Sequence, residues 1–118
     1  MARLCIIRNI DSAHGKNIHG HTFRLEFNFI GEVVNNMVDN IDFHEISPKI
    51  DKVVDNLNHT YIDDVIKVRA TVENIAVYLL KELKNIESLY SVVVYEGQEK
   101  YVEILKSEVK ENLWVNVI

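Results

Sequence analysis

His14, His19 and His21 stand close together in the run Ser12-Ala13-His14-Gly15-Lys16-Asn17-Ile18-His19-Gly20-His21, three of the chain's five histidines. Three neutral imidazoles converging on one point, with a fourth position left open, are how a catalytic zinc is commonly held. His19 and His21 are two apart, so on a strand both project to the same side. Gly20 between them removes bulk from the opposite side, and His14, at the end of the preceding apolar run, can close a triad. The same spacing also suits a polar turn with three solvated histidines; placement at strand ends favours the metal.

Other positions carry possible chemistry of their own. Glu96 ends a strongly apolar segment. A carboxylate buried there needs partners, and it can accept hydrogen bonds from a paired N–H edge on a heterocyclic ring; a surface glutamate at a strand end is the plainer reading. His59, after Asn58, is a proton-transfer candidate or a helix-end cap. Thr71-Val72-Glu73-Asn74 has the pattern of a helix start, with Glu73 favourable in the first turn. Cys5, inside an apolar run, is expected to be a buried structural thiol, and Tyr78 and Trp114 to be packing residues.

The elements that must position these groups follow from hydrophobic period. Residues 2–10 form a first strand. From His21 the alternation is clean, with Phe23, Leu25, Phe27 and Phe29 on one face and Arg24, Glu26 and Asn28 on the other. Residues 35–41 are polar and predict a loop. Ser47-Pro48 predicts a helix N-terminus, followed by Ile50, Val53, Val54 and Leu57 at helical spacing. Residues 58–67 are mixed and predict a connection. Thr71 predicts the cap of a second helix, whose apolar stripe is Val72, Ile75, Ala76, Leu79, Leu80 and Leu83. Residues 90–95 and 101–105 predict a hairpin, and residues 113–118 a further strand or an oligomer contact. The order is ββααββ, an α+β arrangement with an antiparallel sheet and both helices on one face.

Composition narrows the function classes. The apolar fraction is 47% and the charged fraction 26%, ordinary for a globular domain, and 1–118 is expected to be one domain. A net charge of −5 argues against nucleic-acid binding, which needs a basic face. It leaves room for a small anion held by a metal and a few basic residues, for which Lys16, Arg24 and Arg69 are candidates. No apolar run approaches bilayer length. The single cysteine rules out an intrachain disulfide and predicts a reducing cytoplasm.

Taken together, these segments resemble the 6-pyruvoyltetrahydropterin synthase / 6-carboxytetrahydropterin synthase family. The resemblance lies in Asp11-Ser12-Ala13-His14, His19-Gly20-His21-Thr22, Asp42-Phe43, Leu57-Asn58-His59, Thr71-Val72-Glu73-Asn74-Ile75-Ala76 and Val94-Tyr95-Glu96, in order along nearly the whole chain. It implies a tunnelling fold, with four antiparallel strands and two helices per subunit, joined into trimers or hexamers with active sites between subunits. It also implies zinc on His14, His19 and His21, and Glu96 anchoring a pterin ring with help from the backbone around Thr71 and from Glu73. His59 and Asn58 would stand in the proton-transfer positions, and the substrate would be 7,8-dihydroneopterin triphosphate or a related dihydropterin.

The chain departs from the family pattern in its proton-transfer residues, and the turn before Asp42-Phe43 is two residues longer than the family's. The cysteine that family members carry four residues before His-Gly-His is replaced by Gly15, its loop is missing, and the aspartate of the Asp-His pair is Asn58. The implied activity is therefore a zinc-dependent pterin-processing lyase in which His59, or a carboxylate such as Glu45, takes over the cysteine's work. A non-catalytic zinc protein that binds pterin or purine-like rings is the alternative, and a scaffold without metal a third.

Overall fold

The computed structural model describes residues 1–39 and 41–109. Its centre is the phenylalanine stripe. Strand β2 (His19–Gly31) pairs antiparallel with β1 (Ala2–His14) on one side and with β5 (Leu89–Glu96) on the other, and β6 (Lys100–Leu105) completes the order β1-β2-β5-β6. The register opposes Phe23 to Ile10 and Phe27 to Ile6 on β1, and Leu25 to Val94 and Phe27 to Val92 on β5. The expected alternation therefore faces a buried layer in which Phe23, Leu25, Phe27 and Phe29 are fully enclosed. An extra residue on β5 shifts the register between Asn28 and Phe29, the effect of a β-bulge.

The helices cover the phenylalanine face. Helix α1 (Phe43–Asp55) points Ile46, Ile50 and Val54 inward, and its Asp51 takes the Arg8 guanidinium of β1 at 2.6 Å. It starts earlier than the Ser47-Pro48 signal suggested. Asp42 is the cap, its carboxylate accepting the His44 N–H, and Pro48 lies inside the helix. Pro48 lacks the N–H that would bond the His44 carbonyl, but both residues are exposed, so water can take that place. The resemblance had put the helix entry at Asp42-Phe43, where it is.

A short helix α2 (Ile62–Ile66) lies within the segment expected to be a plain connection, burying Ile62 and Ile66. Lys67 closes it at a φ of 66°, without the glycine that signals such a stop. Helix α3 (Val72–Glu82) begins as expected, with Thr71 accepting the Asn74 N–H, and packs on β5 and β6. Part of the segment expected to be a loop pairs instead. Strands β3 (Val33–Val34) and β4 (Met37–Val38) form a small hairpin, with Asn35 and Asn36 both at positive φ in its turn.

On the described residues, the other face of the sheet carries no helix. Its groups form one hydrogen-bonded chain across all four strands: Asn28 to Ser91 (3.0 Å), Ser91 to Glu103 (2.6 Å) and Arg3 to Glu103 (2.9 Å). Cys5 belongs to this face and is exposed, which corrects the buried thiol expected from the sequence. Counting alternate positions back from His14 puts Leu4, Ile6 and Ile10 inward and Cys5 and Ile7 outward. Residual burial, then the Glu26 carboxylate, push the thiol above its ordinary pKa. Tyr78 packs against the core from its edge. Trp114 and residues 113–118 lie outside the described residues. Among the described residues, no helix is long and apolar enough to cross a membrane.

Candidate metal centre

The hairpin register builds the triad. His14 is paired directly with His19, and Ser12 with His21, across a turn of residues 15–18. Cross-strand partners and i, i+2 neighbours share a face, so the three rings form a triangle with centroids 4.6, 4.7 and 5.0 Å apart. One ligand nitrogen from each lies within 4.8 Å of the other two.

Two of the rings are fixed in the tautomer a metal requires. The His14 Nδ1–H donates to the Ala70 carbonyl (2.7 Å) and the His19 Nδ1–H to the Asn17 carbonyl (2.6 Å). A carbonyl can only accept, so each ring is left with its Nε2 lone pair free. His14 is buried, and its Nε2 is a buried polar atom without a hydrogen-bond partner. Such an orphan is costly in a closed interior, and a cation is the partner that this donor set suits. His–His–His with an open side matches the ligand set of catalytic zinc.

Glu96 stands against the triad, Oε2 at 3.8 Å from the His14 Nε2 and Oε1 at 3.6 Å from the His21 Nε2. Register explains this, since Glu96 lies opposite Phe23, the next same-face position after His21. Structure thus unites Glu96 with the histidines, from opposite ends of the sequence.

The remaining sequence candidates are placed as follows. Asn58 gives its side-chain oxygen to the Asp11 N–H (3.0 Å), and the His59 N–H bonds the Asp11 carbonyl (2.8 Å), so this pair is laced to the β1 edge. His59 adopts a φ of 58° and is exposed. With His21, Asp11, Gly20, Thr22 and Thr60 it lines an open cleft of about 610 Å³. The Thr71 hydroxyl caps α3, while Glu73 is exposed in the first turn, three residues after the Ala70 whose carbonyl holds His14. Glu45 lines a different cleft, beside the small hairpin. Arg24 lies on the uncovered face, paired with Glu26 (2.8 Å) and over the Tyr95 ring, so it does not face its own triad.

Sequence reasoning missed the groups that hold the turn. The Tyr61 hydroxyl donates to the Gly15 carbonyl (2.9 Å), and the Gly15 N–H donates to Asp63 (3.0 Å). Burial first, then Asp63 and Asp64, keep the Tyr61 phenol above its ordinary pKa. Nothing in the local pattern of residues 58–67 marks them as partners of residue 15, because the contact is set by tertiary packing.

The family model for 6-pyruvoyl tetrahydropterin synthase matches residues 5–107. The chain belongs to that family. Relatives of this 6-pyruvoyl tetrahydropterin synthase family member include the dihydroneopterin monophosphate aldolase of Pyrococcus furiosus, 31% identical over 113 residues, covering 87% of this chain and 96% of that protein. An Archaeoglobus fulgidus protein provisionally named a 6-carboxy-5,6,7,8-tetrahydropterin synthase is 33% identical over 90 residues, 74% of this chain and 75% of that protein. The fold matches the 6-pyruvoyl tetrahydropterin synthase of Caenorhabditis elegans with a TM-score of 0.78 at 23% identity, over 88% of this chain and 94% of that one. The Plasmodium vivax enzyme gives 0.67 at 16% identity, over 87% and 96%. The tunnelling fold expected from the sequence is thus the fold of this chain.

Proposed function

We propose that this member of the family is a zinc-dependent carbon–carbon lyase that shortens the side chain of a phosphorylated 7,8-dihydroneopterin by retro-aldol cleavage. The observation that carries it is the orphaned Nε2 of His14 in a triad that also faces the Glu96 carboxylate. Zinc bound there would make the side-chain hydroxyls more acidic.

Glu96 is the group beside that position, and it takes the hydroxyl proton from the second side-chain carbon. The bond between the first and second side-chain carbons then breaks. The second carbon leaves as an aldehyde carrying the phosphate, and the electron pair passes into the ring's C=N bond. Protonation of the first carbon, with His59 as the donor candidate, leaves a hydroxymethyl dihydropterin. No oxidant or further reactant is needed. The cysteine implied as proton acceptor in the synthases is Gly15 here, which leaves that chemistry without its base. The aldolase among the relatives supports the same choice.

Glu73, exposed in the first turn of α3, is a second carboxylate for the ring's N–H edge beside Glu96, with the backbone at Thr71 next to it. Lys16, in the triad turn, and Arg69, next to the Ala70 that holds His14, are the candidate cations for the phosphate. The uncovered sheet face, with Ile7, Tyr90 and Tyr101 exposed on the sheet, supports a trimer or hexamer of 1–118 domains with sites between subunits. The lone Cys5 suits a cytoplasmic setting.

The test is anaerobic incubation of zinc-loaded protein with 7,8-dihydroneopterin monophosphate and, separately, its triphosphate, followed by mass spectrometry. A hydroxymethyl dihydropterin that is absent with His19→Ala and Glu96→Gln is expected. Unchanged pterin from fully loaded protein would overturn the lyase, and retention of that pterin on the protein would favour the binding-protein alternative.

A further inference from the structure

His14 and His19 differ in what fixes them. His14 is buried and bonded to Ala70, from a distant part of the chain. His19 is exposed, and its ring is bonded to Asn17, inside the turn itself. The His19 backbone is set by its pairing with His14, but the orientation of its ring depends on the turn, and the turn pivots on Gly15, at a φ of 95°. Glycine is the residue least able to hold a conformation by itself. Left free, it would let the two ligands drift apart, and ordering them would count against metal binding.

Both polar groups of the Gly15 backbone are taken by residues at the start of α2. Tyr61 donates to its carbonyl and Asp63 accepts from its N–H, the second a bond strengthened by the carboxylate charge. The bonds hold the two peptide groups on either side of the pivot. The same segment is laced to β1 just before the turn, through Ala13 N–H to the Thr60 carbonyl (2.9 Å) and a parallel bridge between Ala13 and Tyr61, so the clamp is itself anchored.

We propose that Tyr61 and Asp63 are positioning residues of the metal centre, which lock Gly15 so that His19 is held opposite His14 before the metal arrives. The inference rests on the zinc reading of the triad.

The test is zinc affinity by competition with a chromophoric chelator, alongside thermal melting of the metal-free protein, for the parent, His19→Ala, Tyr61→Phe, Asp63→Ala and Asp63→Asn. Tyr61→Phe and Asp63→Ala should each weaken zinc by about tenfold or more, the usual cost of losing an outer-shell partner. Asp63→Asn keeps an oxygen that can accept the Gly15 N–H, so it should stay within a few-fold of the parent. Metal-free Tyr61→Phe should melt close to the parent, which a merely structural role in affinity would not produce. Parental zinc affinity in Tyr61→Phe and Asp63→Ala, with zinc lost in His19→Ala, overturns the clamp and leaves the metal reading standing. Zinc binding that survives His19→Ala, or its absence from the parent, overturns the metal reading and the clamp with it. If Asp63→Ala fails to fold, Tyr61→Phe decides, since it removes one hydroxyl and nothing else.

Discussion

Two glycines separate backbone strain from damage to the metal centre. Gly15 and Gly97 both have positive φ, 95° and 70°. A Cβ on Gly97 meets nothing within 4 Å, whereas one on Gly15 lies 3.0 Å from the Cε1 of His19. An L-residue forced into the left-handed region costs roughly 1–2 kcal/mol. At roughly 3–6 °C per kcal/mol for a domain of this size, Gly97→Ala should lower the melting midpoint of the metal-free protein by roughly 3–12 °C and leave zinc affinity alone. Gly15→Ala carries at least that backbone cost, its φ lying further from the left-handed region open to L-residues, and its methyl group must also push the His19 ring aside by a few tenths of an ångström. A site's groups have to be held within about 0.5 Å, and a shift of a few tenths takes up most of that margin, so its zinc affinity should fall several-fold, towards tenfold or about 1.4 kcal/mol. The assay is a metal-free melt beside chelator competition for both variants. If Gly15→Ala binds zinc as tightly as Gly97→Ala, the turn does not govern His19 and the account of the site is wrong.

Three further outcomes are expected. His19→Ala should abolish zinc binding with little loss of metal-free stability, because the ring is exposed, while His14→Ala should lose zinc and destabilise by roughly 1–3 kcal/mol through the unpaired Ala70 carbonyl; denaturant titration without metal distinguishes them. Ser91→Ala should cost roughly 1–3 kcal/mol by stranding the buried Asn28 amide, a loss absent in the same titration if the cross-sheet network is incidental. Tyr78 has its pKa raised by burial first and then by Glu82. Its stabilising contribution is therefore complete below the ordinary tyrosine range and lost as pH rises through and beyond it. Tyr78→Phe should flatten the fall of stability measured at alkaline pH.

Much of the scaffold was legible in the chain because it is written in local alternation. The Phe23–Phe29 stripe sets one face of β2, and Thr71 with its apolar stripe sets α3. The triad was legible for the same reason, since hairpin register needs only the two strands and their turn. What was not legible depends on the third dimension. Asp42 outcompetes Ser47 as a cap because Ile46 has to be inside the helix to reach the core. Cys5 sits in an apolar run yet points outward, a matter of parity that only the pairing of His14 with His19 resolves. The nearness of Glu96 to His21 follows from the pairing of β2 with β5, and that of Tyr61 to Gly15 from packing. No window of sequence contains either pair.

The locality of the three ligands also bears on what zinc does to folding. His14, His19 and His21 lie within one short stretch of chain, so an unfolded molecule can still wrap them around an ion. Mass action rewards the native state only to the extent that it binds more tightly than the denatured ensemble. A ligand at a thousandfold excess over its Kd contributes about 4.1 kcal/mol when the unfolded chain ignores it; here the gain should fall short of that. The difference between the two states lies in the Ala70 carbonyl and the Tyr61–Asp63 clamp, which only the folded chain brings to the hairpin. Zinc would then shift the melting midpoint by an amount that measures this distant support, rather than the histidines themselves.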